Sequence, residues 1–185
     1  MAKQDLTTRN AQTNNKYRVD ILRLPETSFF VQECPIPQIS CDTAPQYTSY
    51  NKVNHSSDEL EYSPITLTFL LQEGSRNWYD IYIWMHGLTA PQSGVQHAKL
   101  ANADDLALDG APYIPWGRKR GGNLYSDMTI TTMSSQGNPI LKYTFVDCQP
   151  TLLTGPGLSS RVNSPIYLTF DATFVYDYFK VSTDF

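Results

Sequence analysis

The chain has 185 residues, 41% of them apolar and 12% aromatic, enough for a buried core and too apolar for a disordered segment. Its formal charge of −4 argues against electrostatic binding of nucleic acid by the chain as a whole. Three cysteines without C-x-x-C spacing signal neither a zinc site nor a disulfide framework and suit a reducing cytosol.

Met1–Asn15 is polar and aperiodic, reads as a flexible arm, and lacks the apolar stretch of a secretion signal. Tyr17–Arg23 alternates as a first strand, and Ser28–Glu33 as a second after Pro25. Cys34-Pro-Ile-Pro-Gln-Ile-Ser40 carries two prolines, which confine it to an extended edge or a bend. Residues 42–63 are rich in Ser, Asn, Tyr, Asp and Glu and read as a long hairpin or exposed loop. Ile65–Leu71 alternates apolar residues with Thr66 and Thr68, a half-buried strand.

One helix follows, with Ser75 as candidate N-cap, Trp78, Ile81, Tyr82, Met85 and Leu88 at helical spacing, and Gly87 and Pro91 as its stop. Residues 90–123 read as an inserted irregular segment, with a short helical turn within 95–108. Leu124–Met133 and Ile140–Asp147 read as two strands joined by the turn Ser134–Pro139, and residues 149–165 as a loop. From Ile166 to Val181 apolar and polar residues alternate almost without interruption, which reads as one terminal strand of roughly 50 Å. Its polar face would hold Thr169, Asp171, Thr173 and Asp177. The expected fold is mainly β, an antiparallel sandwich or barrel with one flanking helix, formed by residues 16–185.

Enzyme chemistry needs convergent groups, and no motif supplies them. His55, His86 and His97 fit no ligand spacing, and Asp104-Asp105 lacks the pattern of a calcium loop. Gly155-Pro-Gly157 lacks the lysine and the backbone donors of a phosphate loop. Asp171 and Asp177 on one strand would stand roughly 20 Å apart, too far for a glycosidase pair. No catalytic, metal or cofactor residue is therefore assigned. Arg118-Lys119-Arg120, flanked by glycines, reads as a solvated loop first and a subunit contact next, with nucleic acid or an acidic neighbour surface as what it could touch. The aromatics Trp78, Tyr79, Tyr82 and Trp84 read as core before they read as a sugar platform.

Four ordered segments carry a resemblance. They are Asn15–Ile21 with Phe29–Ile39, Leu60–Phe69, the helix Asn77–Met85, and Phe170–Phe179. In this order the chain resembles the tail-tube protein family of contractile-tailed bacteriophages, which includes tube-completion and baseplate tube-initiator relatives. The resemblance implies a virion protein that forms homohexameric rings whose sheets join into a continuous barrel. The rings would stack into a tube for genome ejection, assembled in the host cytoplasm, with sheath, neck or baseplate proteins as further partners. Phage DNA would pass the lumen without specific binding, and no membrane insertion is implied. Thr169, Asp171, Thr173 and Asp177 become candidates for the lumen wall. Segment 44–60, with Tyr47, Tyr50, Asn51 and Lys52, and the arm 1–15 become candidates for contacts between rings, and Arg118, Lys119 and Arg120 for contact with a ring or partner. The competing readings are a carbohydrate-binding β-sandwich presenting Tyr47, Tyr50 and Tyr113, and a cell-wall hydrolase.

Overall fold

The computed structural model describes residues 12, 15–89, 91, 94, 124–159 and 167–183. The arm 1–15 (apart from Gln12 and Asn15), nearly all of segment 90–123, and the Arg118–Arg120 triplet lie outside the described residues.

The elements run β1 (Tyr17–Ile21), α1 (Pro25–Ser28), β2 (Val31–Glu33), β3 (Ile39–Tyr47), β4 (Lys52–Tyr62), β5 (Ile65–Leu70), α2 (Arg76–Thr89), β6 (Ser126–Met133), β7 (Pro139–Leu153), β8 (Thr169–Val175) and β9 (Tyr178–Ser182). The main sheet has the order β1-β6-β7-β8-β5-β2, with β9 added to β7, and all its pairings are antiparallel. The two ends of this order approach each other, because the Tyr17 hydroxyl on β1 donates to the Gln32 carbonyl on β2. The result is a nearly closed barrel, the mainly β fold with a flanking helix that the alternation of apolar residues predicts.

The 15-residue β7 links the two halves of the barrel. Its first part pairs with β6 and β9, and from Gln149 onward it pairs with β8. The change of partner falls beside Asp147, at φ 58°, a left-handed conformation that aspartate tolerates better than most residues. Its N–H is held by the Asp127 carboxylate at 3.3 Å. Strand β7 thus reaches Leu153, five residues into a stretch whose Pro150 and Thr151 read as loop. Pro150 is accommodated at a register shift between β7 and β8, where a strand tolerates a missing donor.

The interior is built from alternate residues of the strands. Ile65, Leu67 and Phe69 of β5 face Phe170, Ala172 and Phe174 of β8, with Phe69 and Phe170 stacked at 5.2 Å. Met128 and Ile130 of β6, Val19 and Ile21 of β1, and Phe145 of β7 complete it. Helix α2 packs against the barrel through Ile81 and Trp84, whose ring lies 6.1 Å from Phe174 of β8, and the Trp84 indole N–H donates to the Leu124 carbonyl at 2.8 Å. Asn77, also buried, donates to Leu70 O at 2.7 Å and accepts from Gln72 N at 3.2 Å, tying the helix start to the end of β5.

Four expectations need correction. The terminal strand is two strands. β8 ends at Val175, Tyr176 is buried with its hydroxyl on Ser63 O, and the chain turns at Asp177, whose N–H reaches Val146 O at 3.1 Å. The turn lets Phe179, of the opposite parity to Phe174, join Phe145 and Tyr176 at 5.1 and 6.1 Å. Secondly, Ser28–Glu33 is not one strand. Pro25 opens the short helix α1, and Ser28 Oγ accepts from Ile21 N while donating to Leu24 O, both at 2.8 Å, so only Val31–Glu33 remains extended.

Thirdly, Gly87 does not end α2, which runs to Thr89; Gly87 lies on the buried face, and the helix stops before Pro91. The buried stripe is Asn77, Ile81, Trp84 and Gly87, with Tyr82 left at the surface. Fourthly, residues 149–153 are strand rather than loop, as described for β7.

Asp80 on α2 is a half-buried acid whose carboxyl is raised above its usual range by desolvation, with Arg76 opposing and Glu26 adding to the rise. A carboxyl raised by folding costs stability as pH climbs past its unfolded value and costs nothing below that value. Asp80→Asn is therefore expected to raise the melting temperature at pH 7 and leave it unchanged near pH 3, a difference readable by thermal melts at the two pH values.

Candidate assembly surface

Two surfaces hold the sequence-predicted residues that the structure describes. The first is the outer face of β5 and β8. Thr66 and Thr173 are opposite each other, their hydroxyls 2.9 Å apart, and Thr68 donates to the Asp171 carboxylate at 2.7 Å. The Asp171 backbone is clamped in turn: its N–H reaches Thr154 Oγ1 at 2.7 Å and its carbonyl accepts from Thr154 N at 2.9 Å. Thr169 stands exposed at the start of the same strand. The wall is polar, yet its hydroxyls and carboxylate are largely satisfied by one another, as cross-strand threonine pairs allow. Asp177 is not part of it, because the bend after Val175 places it on the turn into β9.

Thr68→Val keeps the shape of this wall and removes the donor to Asp171. It is expected to lower the unfolding free energy by about 1 kcal/mol, the scale of a typical net hydrogen bond, as read from urea unfolding.

The second surface is the β3–β4 hairpin, which forms a two-stranded sheet of its own. Its base is anchored to the barrel: Ser63 N donates to Gln38 O at 3.1 Å, and Tyr62 packs edge-on to Tyr176 and Phe179. Beyond the base every residue of β3 from Cys41 to Tyr47 is exposed. The tip is ordered by its own side chains. Thr48 N and Oγ1 both donate to Asn51 O, at 2.9 and 2.7 Å, and Asn51 Oδ1 accepts from Lys52 N at 2.8 Å. Tyr50 is 100% exposed and Tyr47 76%, with the Lys52 ammonium 5.9 Å from the Tyr47 ring centre. The structure thus brings Tyr47, Tyr50, Asn51 and Lys52 together at one projecting end. They stand on a separate sheet from Asp171 and Thr173.

The α2 aromatics that read as core divide: Trp84 is buried and Trp78 half-buried, while Tyr79 and Tyr82 are exposed. Trp78 and Tyr82 stack 5.4 Å apart at 15°, and Tyr82 meets His86 at 4.1 Å. One feature escapes the sequence reading, a cleft of about 780 Å³ at the seam between β1 and β2, which depends on the closure of the barrel and has no local signature. Among the described residues no group of three or more His, Cys, Asp or Glu side chains is placed to hold a metal ion, and no helix is long and apolar enough to cross a membrane.

This combination of a nearly closed antiparallel barrel, a flanking helix and a projecting hairpin is the tail-tube fold. The chain is similar to the tube-terminating cap of the anti-feeding prophage (TM-score 0.63, 14% identity, 98% of this chain and 97% of that one). It is also similar to a chain of the extended sheath–tube complex of the PVC extracellular contractile injection system (TM-score 0.59, 13% identity, 98% and 100%). A chain of the anti-feeding prophage baseplate matches as well (TM-score 0.61, 8% identity, 95% and 97%). At these identities the likeness is one of fold. No family model and no curated protein matches the sequence.

Proposed function

We propose that this protein is a structural subunit of the tube of a contractile injection apparatus, a phage tail or a particle built like one. Six copies form a ring, and rings stack into a tube, with tail sheath, neck or baseplate proteins as the outer and terminal partners. The observation that carries this reading is the β3–β4 hairpin, an ordered, aromatic-tipped element that leaves the barrel and finds no further sheet partner among the described residues. An exposed two-stranded ribbon with a structured tip is a liability in a monomer and is explained by burial against another copy. The likeness to tube, cap and baseplate chains supports the same reading.

In the ring, the β5–β8 face with Thr169, Asp171 and Thr173 lines the channel, and Asp177 sits at its rim. A wall whose polar groups already satisfy one another, in a chain of net charge −4, offers DNA little to hold. Tyr47, Tyr50, Asn51 and Lys52 make contacts between rings. The protein is a conduit component rather than an enzyme and needs no cofactor.

A tube-completion role is the second reading, since capping and tube chains share this fold. Negative-stain electron microscopy of the purified protein over a concentration series separates the two. Open tubes with a central channel are expected for a tube subunit, and single rings that do not extend for a terminator. Monomers at every concentration, with binding to a glycan array, would overturn both in favour of a carbohydrate-binding module.

A further inference from the structure

The exposed hairpin tip and a cleft stand at a defined distance from each other in the fold. The cleft at the β1–β2 seam is lined by Lys16, Tyr17, Glu33, Cys34, Ile36 and Ile130, among others. It has an apolar floor in Ile130, which is 1% exposed, and an exposed wall in Ile36 at 41%. Tyr17 is fixed across it by its bond to Gln32 O, and burial with Cys34 and Glu33 beside it raises the Tyr17 phenol. Residues 34–36 of the cleft wall lead through Pro37 and Gln38 straight into β3, so the cleft lies at the base of the hairpin whose tip is Thr48–Asn51. Nine residues of β3 separate base from tip, roughly 30 Å at about 3.4 Å per residue.

We propose that the tip of one subunit, led by Tyr50, seats in the β1–β2 cleft of the subunit in the next ring. Tip and cleft stand at opposite ends of one hairpin, so a shift along it by its own length brings one onto the other. Such a contact is heterologous, with different patches on the two sides, and it repeats without limit. The chemistry agrees: the tip carries one charge, Lys52, and two tyrosines, and the cleft offers Glu33 on its wall, with Lys16 also present, around an apolar floor. An aromatic with a polar handle suits a pocket apolar below and wet at the mouth. The occupant is a second copy of this chain. The inference rests on the tube reading and adds the acceptor site to it.

The test is a disulfide trap in the full-length protein. Tyr50→Cys and Ile36→Cys are combined in a chain carrying Cys34→Ala and Cys41→Ser, with each single cysteine variant as control. Copper phenanthroline takes two electrons and two protons from the paired thiols. After oxidation of assembled protein, denaturing gels without reductant are expected to show a ladder of covalent trimers and longer chains, because each subunit offers one tip and one cleft. The single variants should give no more than dimers. Two uncrosslinked measurements stand beside it. Tyr50→Ala should raise the concentration at which tubes form at least tenfold while leaving the melting temperature unchanged. Lys52→Glu and Glu33→Lys should each weaken assembly, and their combination should restore it. Tubes with no ladder and no effect of Tyr50→Ala overturn the docking and leave the tube reading intact. If the unmodified protein forms neither rings nor tubes, the tube reading fails, and the docking with it.

Discussion

Cutting the β3–β4 hairpin back to a short loop is expected to abolish polymerisation and leave the barrel folded. Thr43 and Ser56 face each other across the hairpin, so replacing residues 44–55 by Asn-Gly closes it with a turn suited to two-residue connections. The deleted residues are exposed and pair only with one another, so little core is lost. The melting temperature should move by less than about 3 °C, which for a chain of this size corresponds to roughly 1 kcal/mol or less. Sedimentation and electron microscopy should find soluble rings or monomers where the parent gives tubes. Tubes of parental length from the shortened chain would remove the hairpin from the stacking interface. A broad, low-temperature melt would show instead that the hairpin supports the barrel.

The opposite outcome is expected at Trp84. This side chain is 1% exposed, lies 6.1 Å from Phe174, and donates its indole N–H to Leu124 O. The Arg23 guanidinium stands 5.3 Å from its ring centre, and burial lowers that group to about 10, still charged at neutral pH. Trp84→Ala leaves a cavity, an unsatisfied carbonyl and a half-buried cation without its aromatic contact. A loss of about 3–5 kcal/mol is expected from the cavity alone, a large share of the 5–15 kcal/mol typical of a domain. Urea unfolding should show a midpoint far below the parent's, with assembly lost because the subunit is lost. Trp84→Phe keeps most of the apolar area and should retain more than half of that stability. If the two substitutions cost the same, the hydrogen bond and the cation contact matter more than the volume.

How much of this was legible beforehand depended on whether the signal was local. Ile65–Leu70 could be read as a strand because alternation over six residues records its burial directly, and the pairing with β8 leaves that pattern intact. The hairpin at 39–62 was legible through its lack of core-forming residues, and the Ser134–Pro139 turn through Gly137, which the structure places at φ 86°. The bend at Asp177 was missed because the alternation continues through it. Only the switch of the core-facing aromatic from even to odd positions, Tyr176 then the half-buried Phe179, marks the turn. Trp78, Tyr79, Tyr82 and Trp84 read together as core, which holds for Trp84 and not for Tyr79 and Tyr82, because helical spacing alone does not say which side of a wide apolar face meets the sheet. The expected lumen residues Thr169, Asp171 and Thr173 do share one face of β8, but their ties to Thr66, Thr68 and Thr154 come from strands far along the chain. The β1–β2 cleft could not be read at all, since it exists only once the first and last strands of the sheet order meet.

The pairing of β5 with β8 has a consequence for biosynthesis. Thr66 meets Thr173 across 107 residues of intervening chain. Until β8 leaves the ribosome, Ile65, Leu67 and Phe69 have no strand on that side, and the barrel cannot close around them. At typical synthesis rates of about 5–20 residues per second, that interval lasts on the order of five to twenty seconds. During it the nascent chain shows an unpaired apolar strand and a free ribbon edge in a crowded cell. A chaperone that covers β5 until translation reaches β8 would raise the yield of assembly-competent subunits, and the timing of ring formation would be set by the arrival of the last two strands.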